Sequence, residues 1–368
     1  MERDFWDEQH GSYAFALDRQ GRRDNTPSVE ATVPMWFGLL DLPRSQKMVS
    51  TLAAADHMTD WGMRIMSARD PRFDPSGYHF GSVWPLFTGW ASVGEYRVHR
   101  ALPAFANLRA NALLTLKQSP GRTTEVLSGA YLGSLSTSSP HQIWSSAMIV
   151  SPLLRGLMGL DADAATHTLA FAPHVPADWN AFKLVNVRMG TDSLSFAYTR
   201  TDREIRVDVD HRGPQTSLVF SPAISPRTRV ISATVDGRAA KFSLEPNGAD
   251  QHVRLTVPVG SHAHIQITVQ NDFDFAAPLT LPNPGEPSHG LRVISESWTA
   301  AHDQLTFSIE GIAGSTYELA LRGAEQIGSV EGAELADSAT GRKILRVSFS
   351  AAAARDYAKK NVVLHFSR

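Results

Sequence analysis

Residues 121–148 combine one carboxylate with side chains that are typical of carbohydrate sites. Glu125 lies in a segment rich in Gly, Ser and Thr, which predicts a loop, and Gln142 and Trp144 open the apolar segment that follows. A lone Glu in a polar loop is most often a solvated side chain. The nearby amide and aromatic side chains favour a second interpretation, in which Glu125 activates water to hydrolyse a glycosidic bond. Spacing alone leaves both interpretations open.

A second group of candidates, Asp60, Trp61 and Arg64, lies upstream in the run TDWGMR. A Trp ring suits the C–H face of a sugar, and a guanidinium offers fixed donors for hydroxyl groups. We therefore count all three as candidate substrate-binding residues. The alternative is a capping Asp beside a core Trp, and the sequence does not decide between the two.

Three further candidates are His79, Trp84 and His141. His79 and Trp84 flank the Gly-Ser pair of YHFGSVWP, where they could line a pocket, although a Trp at a helix start is more often part of the core. His141 has no partner His at metal-ligand spacing, so we predict no metal site and no cofactor. The Gly pairs near Ser128 match neither a phosphate-binding loop nor a nucleophile elbow.

The composition excludes several classes of function. With 368 residues, a net charge of −2 and 20% charged residues, the chain has no electrostatic feature typical of a nucleic-acid partner. No apolar run reaches the length of a membrane helix, so no membrane partner is predicted either. The absence of Cys removes disulfides and thiolate sites. The first residues lack a signal-peptide pattern, and both the bacterial cytoplasm and the periplasm remain open as compartments.

Hydrophobic periodicity predicts a helical part followed by two β parts. Apolar residues recur at helical spacing in about five segments, and shorter runs alternate from residue 160 onward. Long aromatic loops between helices indicate a toroid of antiparallel helix pairs. The predicted fold is thus a multidomain α + β protein, with a partial (α/α)6 toroid of five to six helices, a β-sandwich and a small second β domain. The predicted helices are 28–40, 43–55, 82–99, 103–117 and 143–157.

The same patterns predict four units along the chain. Residues 1–160 form the partial (α/α)6 barrel, and 161–272 form the β-sandwich. Four prolines indicate a linker at 273–290, and 291–368 form the small C-terminal β domain.

The helical part resembles the C-terminal half of the (α/α)6-barrel glycosidases, in particular the bacterial glycogen-debranching, amylo-α-1,6-glucosidase-like group. The matching pieces are FWDEQHGSYAFALD, SVEATVPMWFGLL, TDWGMR, GYHFGSVWPLFTGWASVGEYR, EVLSGAY and SPHQIWSSAM. In that superfamily the Glu before the Gln-x-Trp-Ser helix is the general base. By position the resemblance assigns this role to Glu125.

The resemblance also implies that part of the enzyme is missing. The general acid of these enzymes is usually an Asp in the first half of the barrel, and Asp7 does not match it. We therefore expect a C-terminal fragment of an inverting glycoside hydrolase acting on α-glucosidic or related linkages, inactive without the N-terminal half of the same polypeptide. The expected substrate is an oligosaccharide or polysaccharide. The alternative is a non-catalytic carbohydrate-binding protein.

Overall fold

The helices lie in the first 151 residues of the chain. The computed structural model describes residues 2–117, 119–352 and 356–367. A 3-10 turn, Val29–Ala31, precedes α2, and a π-helical turn, Pro152–Leu157, continues α6. No helix in these ranges combines the length and apolar character needed to cross a membrane. The helices are α1 Glu2–Phe5, α2 Thr32–Trp36, α3 Leu42–Leu52, α4 Pro85–Arg97, α5 Ala101–Leu114 and α6 Ile143–Ser151.

Helix α4 is the centre of the helical part. Pro85 occupies its first turn, where the missing N–H costs nothing. Gly89 allows α6 to approach closely, since a Cβ there would lie 2.3 Å from the Cβ of Met148. The Ser92 hydroxyl donates to the Ala104 carbonyl at 2.7 Å and so joins α4 to α5. Small residues on α4 therefore set how closely the neighbouring helices pack.

Short hairpins and single bridges fill the space between the helices. Arg64 bridges Val83, Val83 bridges Leu127, and Leu127 bridges Ser134, so four loop segments lie side by side. Two backbone hydrogen bonds join Val83 and Leu127, at 2.8 and 2.9 Å. This bridged layer carries the loop that contains Glu125. The hairpin strands are β1 Trp6–Asp7, β2 Ser12–Tyr13, β3 Ala16–Leu17, β4 Arg23–Asp24, β5 Met58–Thr59 and β6 Gly62–Met63.

Two packed sheets form the first β unit. One has the strand order β15-β14-β18-β11-β10-β9, and the other has β13-β17-β12-β8-β7, with β16 added to β17. In β11 the residues Ile205, Val207 and Val209 are buried and alternate with exposed or half-buried polar ones, which is the pattern of a sheet with one core face. The strands are β7 Leu160–Asp163, β8 Thr168–Phe171, β9 Ala181–Met189, β10 Asp192–Arg200, β11 Glu204–Arg212, β12 Thr216–Phe220, β13 Ala223–Ile224, β14 Arg229–Val235, β15 Arg238–Ala239, β16 Ser243–Pro246, β17 Gln251–Val259 and β18 His262–Gln270.

Two four-stranded sheets form the second β unit, with the orders β19-β22-β25-β24 and β20-β21-β26-β23. Phe275, Phe307 and Leu345 lie in the core between them. A 3-10 turn, Ala324–Gln326, precedes β23. The strands are β19 Asp274–Ala276, β20 Arg292–Trp298, β21 Gln304–Ile312, β22 Thr316–Arg322, β23 Ile327–Glu331, β24 Glu334–Asp337, β25 Lys343–Ser348 and β26 Tyr357–Phe366.

The segment between the two β units lies against the helical part. Leu132 pairs with Glu286 and Gly285 through backbone hydrogen bonds of 2.9 and 2.8 Å. Ser288 accepts a hydrogen bond from the Asp60 amide at 3.0 Å. This Pro-rich stretch is thus held in place by the loops around Glu125.

The predicted fold class, a multidomain α + β protein built on a partial (α/α)6 toroid, is wrong. Strands hold 39% of the residues and helices 19%, so the protein is mostly β with several sheets. Helical periodicity over 28–40 produces only the five residues of α2, because Gly38 adopts φ = +68° just after it. The apolar helix α6 is only partly covered, with Ile143 76% and Val150 53% exposed. Between the helices the chain forms two-residue strands and loops instead of the antiparallel partners that a toroid requires.

Candidate active site

Glu125 is the carboxylate on which the candidate site is centred. Its side chain is 7% exposed, and both of its oxygens have partners. The Tyr78 hydroxyl donates to Oε1 at 2.8 Å, and the Ser139 amide donates to Oε2 at 3.0 Å. The Glu125 amide in turn donates to the Ser139 carbonyl at 3.0 Å. Two different loops therefore hold the carboxylate. Glu125 is not a freely solvated side chain, as a lone Glu in a polar loop most often is.

Tyr78, His79 and Trp84 form a cluster of rings beside Glu125. The Trp84 ring lies 4.7 Å from that of Tyr78 in an edge-on arrangement and stacks with His79 at 5.8 Å. Trp84 is buried, and its indole N–H donates to the Tyr78 carbonyl at 3.0 Å. Burial and the bond to Glu125 together raise the pKa of the Tyr78 hydroxyl, which therefore stays a proton donor to the carboxylate at neutral pH. His79 is exposed at the rim of this cluster.

The segment from Ser139 to Trp144 forms the other side of the site. The Gln142 amide donates to the Thr123 carbonyl at 3.0 Å, which pins the start of α6 beside the Glu125 loop. The Ser139 hydroxyl donates to the His141 carbonyl at 3.1 Å, and the His141 side chain is exposed. Trp144, in the first turn of α6, is 39% exposed. His141, Gln142 and Trp144 thus lie on the loop that also supplies the Ser139 amide.

Trp61 and Arg64 lie behind the Glu125 loop rather than on its surface. Trp61 is fully buried, and its indole N–H donates to the Ser128 carbonyl at 2.9 Å. The Arg64 Nε donates to the Gly129 carbonyl at 2.6 Å. This placement favours the alternative in which Trp61 is a core residue. Both side chains hold the backbone that follows Glu125 in place.

Asp60 forms a buried ion pair with the second β unit. Its Oδ1 lies 2.6 Å from Nη2 of Arg292, and both side chains are fully buried. The amides of His289 and Gly290 also donate to the Asp60 carboxylate at 2.8 and 3.0 Å. Burial by itself raises the pKa of Asp60, but the Arg292 charge and the amide donors outweigh it and lower the pKa. The structure does not bring Asp60 together with Glu125 in a shared surface.

Of the two residues that contact Glu125 directly, sequence reasoning missed Tyr78. Tyr78 is next to the candidate His79 in the same aromatic loop, so its position in that loop could have indicated it. The Ser139 contact uses a backbone amide, which no residue type reveals. Metal-ligand spacing does occur among the described residues, in His99, Asp250 and His252, but that group shares no residue with this site.

Comparison with known protein families gives a match to the N-terminal part. Residues 1–145 match the model of the mannosylglycerate hydrolase MGH1-like glycoside hydrolase domain. These residues are thus similar to a glycoside hydrolase domain. Glu125, Tyr78 and Ser139 all lie among them, whereas the two β units lie outside the matched residues. The expectation of a glycoside hydrolase is confirmed by this family resemblance, but the glycogen-debranching group is not.

Solved structures with weak similarity include two from Thermus thermophilus. An uncharacterized conserved protein aligns at 16% identity and TM-score 0.35, over 40% of this chain and 36% of its own. A GH63 mannosylglycerate hydrolase in complex with Tris aligns at 15% identity and TM-score 0.33. That alignment covers 41% of this chain and 35% of the hydrolase. The chain therefore spans about a third of the length of either structure.

A GH127 β-L-arabinofuranosidase from Geobacillus stearothermophilus T6 aligns over more of the chain, at 9% identity and TM-score 0.31, with 91% of this chain and 56% of its own. No curated protein matches the sequence with significance. At these scores the structural alignments do not identify an activity.

Proposed function

We propose that this chain contributes the general base of an inverting glycoside hydrolase that acts on α-glucosidic or related linkages. Glu125 is that base, and the observation that supports it is the pair of hydrogen bonds from Tyr78 and Ser139 to its two oxygens. One donor on each oxygen fixes the plane of the carboxylate. Each oxygen keeps a further lone pair, with which it accepts a hydrogen bond from water.

In this reaction a water molecule attacks the anomeric carbon while Glu125 removes its proton. The bond from the anomeric carbon to the leaving oxygen breaks, and a carboxylic acid on the opposite face protonates that oxygen. An inverting enzyme holds the two carboxyl groups about 6.5–9.5 Å apart so that water fits between them. Glu125 must be ionised before the attack, because a protonated carboxyl group cannot take the proton of the water molecule.

We assign the proton donor to none of the described carboxylic acids. Asp7 does not suit the role, because a general acid needs a raised pKa. Burial raises the pKa of Asp7, but its hydrogen bonds with His10 and the Gln9 amide outweigh this and lower it. Asp7 also forms a 2.5 Å contact with the His10 ring.

Exposed aromatic rings in the segments that follow Tyr78 and Glu125 support a sugar as the substrate. Phe80 is 51% exposed, and Tyr131 is 42% exposed. Rings of this kind stack on the apolar faces of sugars. The family model that matches residues 1–145 is named for mannosylglycerate hydrolase, so mannosylglycerate is a sensible test substrate alongside α-linked gluco-oligosaccharides.

The test is turnover by the polypeptide as its gene encodes it, followed by NMR of the anomer that is first released. We expect an inverted anomer, and we expect Glu125→Gln to lower kcat by about 10²–10⁴-fold, the range of general acid–base catalysis. Glu30→Gln is a matched control, because Glu30 is exposed outside the site. Circular dichroism verifies that both variants fold. Wild-type turnover by Glu125→Gln would rule out Glu125 as the base, and a retained anomer would rule out inversion.

The second candidate function is carbohydrate binding without catalysis. The exposed rings of Phe80, Tyr131 and Trp144 favour it, since they need no proton donor to hold a glycan. Calorimetric titration with oligosaccharides distinguishes the two functions. Binding of equal strength by the wild type and Glu125→Gln, with no turnover by either, would favour the binding protein.

A further inference from the structure

Three histidines surround one buried carboxylate where the helical part meets the first β unit. The Asp250 side chain is 7% exposed. His99 Nδ1 lies 3.1 Å from Asp250 Oδ1, His174 Nδ1 lies 3.2 Å from Oδ2, and His252 Nε2 lies 3.6 Å from Oδ2. His99 follows α4, while Asp250 and His252 lie at the start of β17. None of these four residues takes part in the site around Glu125.

A hydrogen bond fixes which nitrogen of the His252 ring lies beside Asp250. Its Nδ1 lies 2.7 Å from the Ser221 carbonyl, which can only accept, so Nδ1 carries the proton. Among the described residues the other ring nitrogen, Nε2, is buried beside Asp250 and makes no hydrogen bond. Buried polar atoms without partners are rare in folded proteins. A cation bound between Nε2 and the Asp250 carboxylate would give this nitrogen a partner.

The spacing of these atoms fits a metal ion. One ligand atom each from His99, Asp250 and His252 lies within 4.8 Å of the others. A tetrahedral zinc ion with bonds of about 2.0–2.1 Å places its ligand atoms about 3.3 Å apart. Measured to the same oxygen, Asp250 Oδ2, His99 Nδ1 lies at 3.2 Å and His252 Nε2 at 3.6 Å, and these separations bracket that value.

The other contacts resemble the outer shell of a metal site. Ligating histidines usually donate their second N–H to a carbonyl, as His252 does to Ser221. His174 Nδ1 lies 3.2 Å from Asp250 Oδ2, within reach of a hydrogen bond to it. His174 thereby orients the carboxylate without being a ligand itself.

The backbone of His99 is a separate sign that its side chain matters. His99 adopts φ = +61°, in the left-handed region that Gly and Asn occupy most easily. A cavity of about 80 Å³ reaches His99, His174 and Asp250 and offers a path for an ion.

We propose that His99 Nδ1, His252 Nε2 and the Asp250 carboxylate bind one zinc-like divalent transition-metal ion that ties the end of α4 to β17. Imidazole nitrogens and one carboxylate oxygen are ligands that such ions prefer. Three protein ligands leave a fourth position on the side of the cavity, which a water molecule fills. The ion supplies the missing partner of Nε2, and it makes the junction between helix and sheet dependent on metal.

The test uses the full chain without an affinity tag, stripped with a chelator and titrated with Zn²⁺ by calorimetry and with Co²⁺ by visible absorption. We expect one ion per chain and an intense, tetrahedral-type Co²⁺ spectrum. His252→Gln and His99→Asn should each weaken binding by at least about 100-fold, more than the usual loss of an outer-shell partner. Asn tolerates the left-handed backbone at position 99, so the His99→Asn variant folds even where His252→Gln does not.

His262→Gln is the matched control. His262 also pairs with an Asp, since it lies 2.6 Å from Asp210, but it is 75% exposed and lies outside the cluster. Its binding should equal that of the wild type. Zn²⁺ should raise the wild-type Tm by at least about 3 °C and should not shift that of His99→Asn. Failure of the wild type to bind stoichiometric Zn²⁺ or Co²⁺ would overturn the proposal, as would unchanged affinity in both cluster variants.

Discussion

The buried pair of Asp60 and Arg292 makes a sharp test of what Asp60 does. If Asp60 binds substrate, its replacement should mainly weaken sugar affinity. If its role is the ion pair, replacement should mainly destabilise the fold. We predict the second result, because both side chains are fully buried and Asp60 lies at the junction with the second β unit.

The magnitude follows from the contacts. Asp60→Asn keeps one oxygen that can accept from the His289 and Gly290 amides, but it leaves the Arg292 guanidinium without a counter-charge. Breaking a buried pair in this way costs about 3–5 kcal/mol. Arg292→Met should cost a similar amount, because the Asp60 carboxylate then stays buried and unpaired. The double variant removes both charges, so its loss should be smaller than the sum by at least about 2 kcal/mol.

The assay is denaturant unfolding followed by tryptophan fluorescence, with hydrogen exchange of the segments around residues 58–66 and 286–298 to locate the loss. The difference between the wild type and Asp60→Asn should also depend on pH. Arg292 and the amides lower the pKa of Asp60 in the folded state, so the stabilisation is present above the unfolded pKa of about 3.9 and is lost as pH falls below it.

Two results would refute this reasoning. One is a loss of less than about 1 kcal/mol in the free energy of unfolding for Asp60→Asn, since leaving a buried charge unpaired destabilises a fold by more than that. The other is a double variant whose loss equals the sum of the two single losses, because independent sites add and paired sites do not. Weaker sugar binding by a fully folded Asp60→Asn would instead restore Asp60 as a substrate-binding residue.

Three further predictions concern the site and the helical core. Tyr78→Phe should lower kcat/KM for the proposed hydrolysis about 10-fold without loss of fold, because Glu125 loses one donor; steady-state kinetics check this, and unchanged kinetics would contradict it. Burial raises the pKa of Glu95 to about 7. The wild type therefore loses stability as the pH rises from about 4.5 to 7, because Glu95 ionises more easily in the unfolded chain. From pH 4 to pH 8, the stability of Glu95→Gln relative to the wild type should therefore increase by about 3 kcal/mol in denaturant unfolding, and an equal difference at both pH values would refute this. Gly129→Ala should lower stability by at least about 2 kcal/mol in thermal unfolding, because the added Cβ would lie 1.9 Å from the Gly81 carbonyl oxygen. A variant with the Tm of the wild type would show that the two backbones do not approach this closely.

The fold class shows where local patterns stop being informative. Apolar residues at helical spacing in 28–40 satisfy the helix pattern, yet only Thr32–Trp36 is α-helical. Pairing of helices into a toroid is a long-range property, and helical spacing within one segment does not determine it. Alternation in Glu204–Arg212, by contrast, is decided by neighbouring residues on one strand, so it could be seen in the sequence.

The same distinction holds for the candidate site and the metal cluster. The sequence by itself determined that Glu125 lies in a Gly- and Ser-rich loop before an apolar helix, and that alternating strands follow, because residue type and short-range spacing control these features. Only the tertiary structure decided that Tyr78 and the Ser139 amide hold Glu125, that Asp60 pairs with a residue 232 positions away, and that His99 meets His252. Such contacts depend on how distant segments pack, and periodicity within one segment carries no information about its partner.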